Sequence, residues 1–354
     1  MQTVDNVYFS TLALHHLSHV VEKHKNNGIF IIVDENTRRL CLPILMEYES
    51  ELQHAEVIEI ASGELTKSIQ TASQIWNILA EKHANRSSLV ICLGGGMITD
   101  LGGFVAATFM RGISFIHIPT TLLGMVDASL GGKTAVNMGV IKNQIGVFAL
   151  PQSILIFPEF LNTLSLRQKQ SGYAEMIKTA LIHSPALFYK IADIKNMEDA
   201  CNEDIIAAIA HVKLAIVQND FLETGLRKVL NLGHTIGHAI EAYAQTTENP
   251  LLHVEAIVVG LLCEAYISNN ILNFPDEDFS MLETLIRSKF TWYELPSGDI
   301  KKVMSFMRHD KKNTMYDNRY NCTLLKALGE PVIDQMIDED MVRESLIYYN
   351  RSNS

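Results

Sequence analysis

Between Ser88 and Gly112 the chain reads SLVICLGGGMITDLGGFVAATFMRG: an apolar run from Leu89 to Leu93, three glycines, then helical spacing that begins near Ile98 and contains Asp100. An unbroken apolar run of this length is the pattern of a strand buried on both faces, which occurs where helices cover a parallel sheet. Glycines between such a strand and a helix let the backbone approach a pyrophosphate, and the helix N-terminus supplies amide donors and a favourable dipole. Gly95 and Gly96 are the candidate contacts. The triplet is not the spaced GxGxxG fingerprint, so a tight turn remains a second reading.

The flanking sequence repeats this unit. GIFIIVDEN, from Gly28, predicts a buried strand with polar Asp34 and Asn36 at its carboxyl end. Glu56–Ile60 predicts another, leading through Ser62-Gly63-Glu64 to helical spacing over Lys67–Leu79. ISFIHIP ends at Pro119 and meets Thr120-Thr121, whose hydroxyls can bond a ribose, a phosphate or nearby backbone. Alternating strands and helices through residue 150 predict an α/β domain with a mostly parallel sheet. In DASLGGKTAVNMGVIKNQIG, Asp127, Lys133, Asn137, Lys142 and Asn143 sit among glycines, which fits either an anion cradle or a solvated loop. Beyond Pro151 and Pro158 the apolar spacing turns helical nearly to the end, with a short late hairpin as a further element. The domain boundary is placed at residue 160, dividing the chain into 1–160 and 161–354.

Glu223–Glu241, ETGLRKVLNLGHTIGHAIE, is predicted as one helix. On that helix Arg227, Asn231, His234 and His238 fall within roughly 60° of one another, with Val229, Leu232, Ile236 and Ile240 behind them. Gly233 and Gly237, one turn apart, weaken the helix, and imply that another segment packs close to its backbone. The narrow ionisable stripe fits a metal or ligand lying along the helix, or a satisfied buried network. By spacing alone His234 and His238, at i and i+4, form a metal pair. Glu175 and Lys178, at i and i+3 in SGYAEMIK, read as an ion pair on a wet helical surface. His253 and Glu255 open an otherwise apolar helix, where a histidine can simply bond the preceding loop.

The net charge of −11 argues against general nucleic-acid affinity, which needs a basic surface to displace counterions. Local cations can still hold a small anion. The five cysteines form no CxxC pair, so neither a disulfide framework nor a thiolate zinc site is indicated, and a reducing cytoplasm fits best. The N-terminal residues lack a signal-peptide pattern, and no uninterrupted apolar stretch reaches about 18 residues. The expectation is a soluble cytoplasmic protein without membrane or nucleic-acid partners.

Assembled, these blocks resemble the 3-dehydroquinate synthase family from residue 28 to residue 330. GGGMITDLGGF, RG, PTTLLGMVDASLGGKT, KNQIG, SGYAEMIK, GLRKVLNLGHTIGHAIE, HVEA and DKK follow that family's order and spacing. The resemblance implies an N-terminal Rossmann-like nucleotide-binding α/β domain, an all-α C-terminal domain, and an active site in the cleft between them. It assigns zinc, with cobalt as an alternative, to Glu175, His234 and His253, and turns His238 toward substrate. Two histidines and a carboxylate leave coordination positions open, as catalytic zinc requires. It further implies NAD contacts at Asp34, Asn36, Glu64, Lys67, Gly95, Gly96, Asp100, Thr120, Thr121 and Thr163, with Lys133 and Lys142 also near the cofactor. Lys133, Lys142, Asn143, Lys178, Arg227, Asn231 and His238 match substrate-binding positions, joined by one of Lys311 and Lys312. A homodimer is implied, with Arg111 reaching the neighbouring subunit's substrate phosphate. Val254, Phe157 and Ser165-Leu166 depart from the family's usual residues without removing a chemical group.

The reaction so implied converts 3-deoxy-D-arabino-heptulosonate 7-phosphate to 3-dehydroquinate and phosphate in the shikimate pathway, which leads to the aromatic amino acids. NAD oxidises the C5 hydroxyl, phosphate is eliminated, the hydride returns, and ring opening with an aldol closure forms the carbocycle. Competing readings are a metal-dependent polyol dehydrogenase, another sugar phosphate cyclase, and a non-catalytic interaction protein on an inherited fold.

Overall fold

The computed structural model describes residues 6–139, 141–248, 250–307 and 319–351. It divides into two compact units: Met1–Gly172 with Cys201–Phe221, and Tyr173–Ala200 with Leu222–Ser354. A single cut at residue 160 therefore differs from what is found. The segment 201–221 returns to the first unit because its helix is anchored there: Lys213 donates to the backbone carbonyl of Asp127 at 2.6 Å and also pairs with its carboxylate.

The first unit contains β1 (Val7–Phe9), β2 (Ile29–Asp34), β3 (Glu56–Ile60), β4 (Leu89–Gly94), β5 (Ser114–Pro119), β6 (Lys133–Met138), β7 (Ile141–Phe148) and β8 (Ser153–Ile156). Its helices are α1 (Ser10–His24), α2 (Glu35–Leu40), α3 (Leu42–Tyr48), α4 (Ile69–Glu81) and α5 (Gly96–Thr108). The opening residues of α6 (Leu166–His183) also belong to it, whereas α7 (Pro185–Ala192) lies in the second unit and α8 (Glu203–Asn219) returns to the first.

Six strands form one sheet in the order β1-β8-β5-β4-β2-β3, with every pairing parallel. The chain leaves β2 for β3 on one side and resumes with β4 on the other, so strand order reverses between β2 and β4. Ligands of open α/β sheets bind outside the carboxyl ends of strands at such a reversal. Asp34 ends β2 and Gly94 ends β4, so the predicted nucleotide residues share that edge. α5 can lie close to the sheet because a Cβ on Gly102 would come within 2.5 Å of Cys92 Sγ. The glycine-rich segment that also fits a solvated loop is an antiparallel hairpin of β6 and β7, with Lys133 opposite Phe148 and Met138 opposite Ile141. Phe157 is buried against Tyr48 and Phe160, which accounts for an aromatic ring at that position.

The second unit is mainly helical, with α9 (His234–Ala244), α10 (His253–Leu272), α11 (Asp276–Lys289), α12 (Ile300–Met307) and α13 (Glu339–Arg351). It is not all-α. β9 (Arg319–Ala327) and β10 (Glu330–Asp338) form an antiparallel hairpin of two nine-residue strands, longer than the short hairpin expected. By length and composition α10 could cross a membrane, but most of it is buried within this unit, as in the core helix of a globular protein.

The predicted helix over 223–241 is two elements. Leu226–Asn231 is 3-10 helix, Leu232 leaves helical geometry, and Gly233 takes a left-handed conformation at φ 80° before α9 starts. Arg227 and Asn231 thus do not share a helix with His234 and His238. The inference drawn from the glycines does hold, since α10 packs against them. A Cβ on Gly237 would lie 2.8 Å from Ile257 Cδ1, and one on Gly260 would lie 2.0 Å from the Gly233 carbonyl oxygen.

Gly260→Ala is expected to destabilise the protein by about 1–3 kcal/mol or more through overpacking. Gly298→Ala, where an added Cβ meets nothing within 4 Å, is expected to change stability by no more than about 0.5 kcal/mol. Denaturant unfolding of the two variants checks the contrast, and equal effects would contradict this packing.

Candidate active site

In the first unit, α5 starts immediately after β4 with Gly95 at its N-cap and no side-chain cap bond, so the N-cap residue itself leaves the first amides to an incoming anion. Gly95 lies against Thr121, whose hydroxyl accepts a bond from Gly124 N at 3.0 Å. Thr120 is buried beside them, its amide donating to Gly94 O at 3.0 Å. Asp34 caps α2 through Thr37 N at 2.8 Å, and Asn36 is exposed on that helix. Thr163 is exposed at the end of a 3-10 turn, its hydroxyl bonded to Phe160 O.

One hydrogen-bonded network joins two groups of predicted residues. Lys67 Nζ lies 2.6 Å from Asp100 Oδ2 and 3.9 Å from Glu64 Oε1, and also bonds Asn143 Oδ1. Burial acts to lower the Lys67 pKa, but the Asp100 and Glu64 charges outweigh it and hold the ammonium above its ordinary value. Asn137 ties the network together by donating to Glu64 Oε1 at 2.8 Å and accepting from Asn143 N at 2.9 Å. Asn143 itself has φ 51°, a left-handed conformation that asparagine tolerates. Lys133 and Lys142 are exposed on this hairpin, Lys133 at its open end and Lys142 next to the turn.

In the second unit three imidazoles converge. The ring centroids of His234, His238 and His253 lie 5.2–5.6 Å apart, and one nitrogen from each comes within 4.8 Å of the others. The Nδ1 of His253 meets Glu241 Oε2 at 2.7 Å, and that of His234 meets Leu232 O at 3.1 Å. Such bonds select the tautomer that leaves Nε2 as a lone-pair donor. Burial, and then the positive charge of Lys178 and the neighbouring imidazoles, push the His234 pKa well below its ordinary value. Its ring therefore remains in the neutral form that a metal requires.

Glu175 and Lys178 do pair, but in the interior, with 2% and 3% of their side chains exposed, so the wet-surface expectation is corrected. Glu175 Oε2 makes this ion pair without hydrogen-bond geometry, leaving a buried oxygen whose capacity a metal can use. The donor atoms that converge are the three imidazole nitrogens, His238 among them, of a kind suited to zinc or cobalt. Arg227 is buried to 1% exposure, a position a guanidinium rarely takes without a defined anionic complement. Asn231 bonds Glu223 Oε1 at 3.2 Å. Arg111 is exposed in the first unit, and Lys311 and Lys312 lie outside the described residues.

Sequence reasoning missed Glu241 as the partner of His253, and Lys213 as the buried cation on Asp127. Glu241 ends the helix predicted over 223–241, and the sequence shows no partner for it. Lys213 lies in a helical stretch whose return to the first unit nothing in its local sequence signals.

Residues 57–171 match the family described as 3-dehydroquinate synthase N-terminal, and residues 172–313 match 3-dehydroquinate synthase C-terminal. A 3-dehydroquinate synthase of Parabacteroides distasonis is 38% identical over 330 residues, covering 93% of each chain. The fold is similar to a solved 2-deoxy-scyllo-inosose synthase complexed with carbaglucose-6-phosphate, NAD+ and Co2+, with a TM-score of 0.82 at 24% identity over 96% of this chain and 95% of that one. It is also similar to a 2-epi-5-epi-valiolone synthase from Streptomyces hygroscopicus with NAD+ and Zn2+ bound, at TM-score 0.79 and 21% identity over 99% and 98%.

His253→Ala is expected to weaken zinc binding by about 10-fold or more, as loss of a ligand exceeds most outer-shell effects, while His238→Ala keeps its metal and loses turnover. Metal analysis of both proteins decides the assignment: a metal-free His238→Ala beside a loaded His253→Ala reverses it. Lys178→Ala is expected to raise the substrate KM and leave the NAD Kd unchanged, and loss of NAD binding with normal substrate affinity would contradict that role.

Proposed function

Since the chain belongs to the 3-dehydroquinate synthase family, we infer that it converts 3-deoxy-D-arabino-heptulosonate 7-phosphate to 3-dehydroquinate and phosphate in the shikimate pathway. The observation that carries this reading is the match of residues 57–171 and 172–313 to that family's N- and C-terminal parts. The uncapped start of α5 at the strand-order reversal supports NAD binding through Gly95, Gly96, Thr120 and Thr121, with Asp34, Asn36, Glu64, Lys67, Asp100 and Thr163 as further contacts. The converging imidazoles and the buried Glu175 oxygen support a divalent metal held by Glu175, His234 and His253. When bound, NAD supplies a reversible hydride acceptor and the metal supplies Lewis acidity toward substrate oxygens.

The chain's own residues then bind and orient. The substrate is an anion at both ends, and the protein offers two sets of positive groups despite its net negative charge. Lys133 and Lys142 with Asn143 form one set; Lys178 and Arg227 with Asn231 form the other. Arg227 retains its charge in the interior and offers a planar fork suited to carboxylate or phosphate. His238 sits beside the proposed ligands, where its ring can bond a substrate hydroxyl. A strong protein base is not required at C6, because the substrate's phosphate can take that proton before leaving, and rigid positioning then supplies much of the rate.

Arg111 belongs to a strained segment. Met110 and Arg111 have φ 50° and 68°, successive left-handed conformations that L-residues rarely adopt, and strain of this kind concentrates at functional sites. This marks Arg111 as a candidate functional residue, and on the family resemblance alone we propose a homodimer in which it serves the neighbouring subunit's phosphate site.

With substoichiometric NAD, phosphate and dehydroquinate should form in equal amounts without accumulation of NADH. NADH formed in proportion to product would instead indicate a polyol dehydrogenase, and failure to turn over this substrate alongside turnover of another sugar phosphate would indicate a different cyclase. Arg111→Ala and Lys178→Ala homodimers should each be nearly inactive. After subunit exchange, activity should return, because one site of each heterodimer inherits neither defect. Demonstrated exchange without recovery would reject the shared site.

A further inference from the structure

α9 carries no cap of its own. Gly233 occupies its N-cap position without a side chain, and the first turn contains no acidic residue. Four amides at a helix start lack intrahelical acceptors, and in the interior water cannot supply them. The acceptor comes from α10. Glu264, fully buried, accepts from Gly233 N at 2.6 Å through Oε2, and from Thr235 N at 3.1 Å and Ile236 N at 3.3 Å through Oε1. A carboxylate at a helix N-terminus gains both from charge-assisted bonds and from the helix dipole.

The bonded amides bracket His234. His234 rides on α9, whereas His253 begins α10, so the separation of these two donors depends on the register between the helices. Gly260, one turn before Glu264, brings α10 against the Gly233 carbonyl, and Glu264 grips the same turn from the side chain. Ser268, one turn beyond, donates to Glu264 O at 2.6 Å and accepts from Leu325 N at 3.0 Å, securing that part of α10 to β9.

We propose that Glu264 is a positioning residue for the metal centre: by capping α9 from α10 it fixes His234 relative to His253. The inference rests on the reading of these histidines as ligands. Metal–ligand distances tolerate only about 0.2 Å of error, so a loosened first turn of α9 weakens binding although no ligand is lost. Glutamine keeps the shape of Glu264 but replaces one accepting oxygen with an NH2, so that a donor faces backbone donors.

The test uses wild type, Glu264→Gln and Ser268→Ala, each stripped of metal and titrated with Co2+ against a competing chelator, with the visible ligand-field spectrum recorded. Glu264→Gln is expected to bind Co2+ about 10- to 100-fold more weakly, as outer-shell substitutions do, with an altered spectrum and an unchanged NAD Kd. Ser268→Ala removes a buried bond from the same helix without touching the cap, and should retain wild-type Co2+ affinity and spectrum. Wild-type affinity and spectrum in Glu264→Gln, or an equal loss in Ser268→Ala, would overturn the assignment. If Glu264→Gln does not accumulate folded, Glu264→Asp, whose carboxylate is drawn back by one methylene, carries the test, and wild-type binding there overturns it equally. Absence of Co2+ binding by wild type would sink the metal reading itself, a result distinguishable from intact wild-type binding that Glu264 does not influence.

Discussion

The convergence of His234, His238 and His253 depends on backbone contact between two helices. Where α10 passes the start of α9, Gly260 has no room for a Cβ against the Gly233 carbonyl, and Gly237 has none against Ile257. Glycine costs roughly 0.5–1 kcal/mol relative to alanine in a helix interior, so this approach is unfavourable by local propensity alone. It is offset by what it brings together: an imidazole from the first turn of α10 beside two from α9, with Glu264 and Glu241 reaching across the same junction. Bulkier residues would hold the helices apart and separate the donor atoms.

The first unit solves the opposite problem. Its ligand edge is open because the strand order reverses between β2 and β4 and because α5 begins on glycines without a side-chain cap. The polar groups near that edge are not left loose. Lys67 is nearly enclosed, with Asp100 and Glu64 maintaining its charge, and Asn137 connects that pair to Asn143 on the hairpin. A buried ammonium thus keeps its charge because the adjacent carboxylates outweigh the cost of burial.

Several sequence expectations failed for one shared reason. The i, i+3 spacing of Glu175 and Lys178 correctly pairs them, but spacing carries no information about depth, and the pair lies in the interior. The α-helical periodicity read across 223–241 is realised only from His234 onward, Leu226–Asn231 being 3-10 helix, and periodicity cannot reveal the left-handed turn at Gly233 that re-aims the chain. The segment 201–221 looks like any amphipathic helix, and only its contacts return it to the first unit. The Lys133–Phe148 hairpin was obscured because its glycines and polar residues read equally well as a solvated loop.

What the sequence by itself determined is local and chemical: the buried strands Ile29–Asp34 and Leu89–Gly94, the glycine-to-helix junction after the latter, the helical character of much of the remainder, and the identity of the groups able to bind metal, nucleotide and phosphate. Apolar runs, periodicity and residue chemistry act over a few neighbours, so they survive in a linear reading. The family resemblance already set His253 with His234, but only tertiary structure decided that His238 converges with them, that Glu241 orients His253, and that Glu264 caps a helix 31 residues earlier. Those relations arise from helices packed at backbone distance, and a contact between residues remote in sequence leaves no period along the chain.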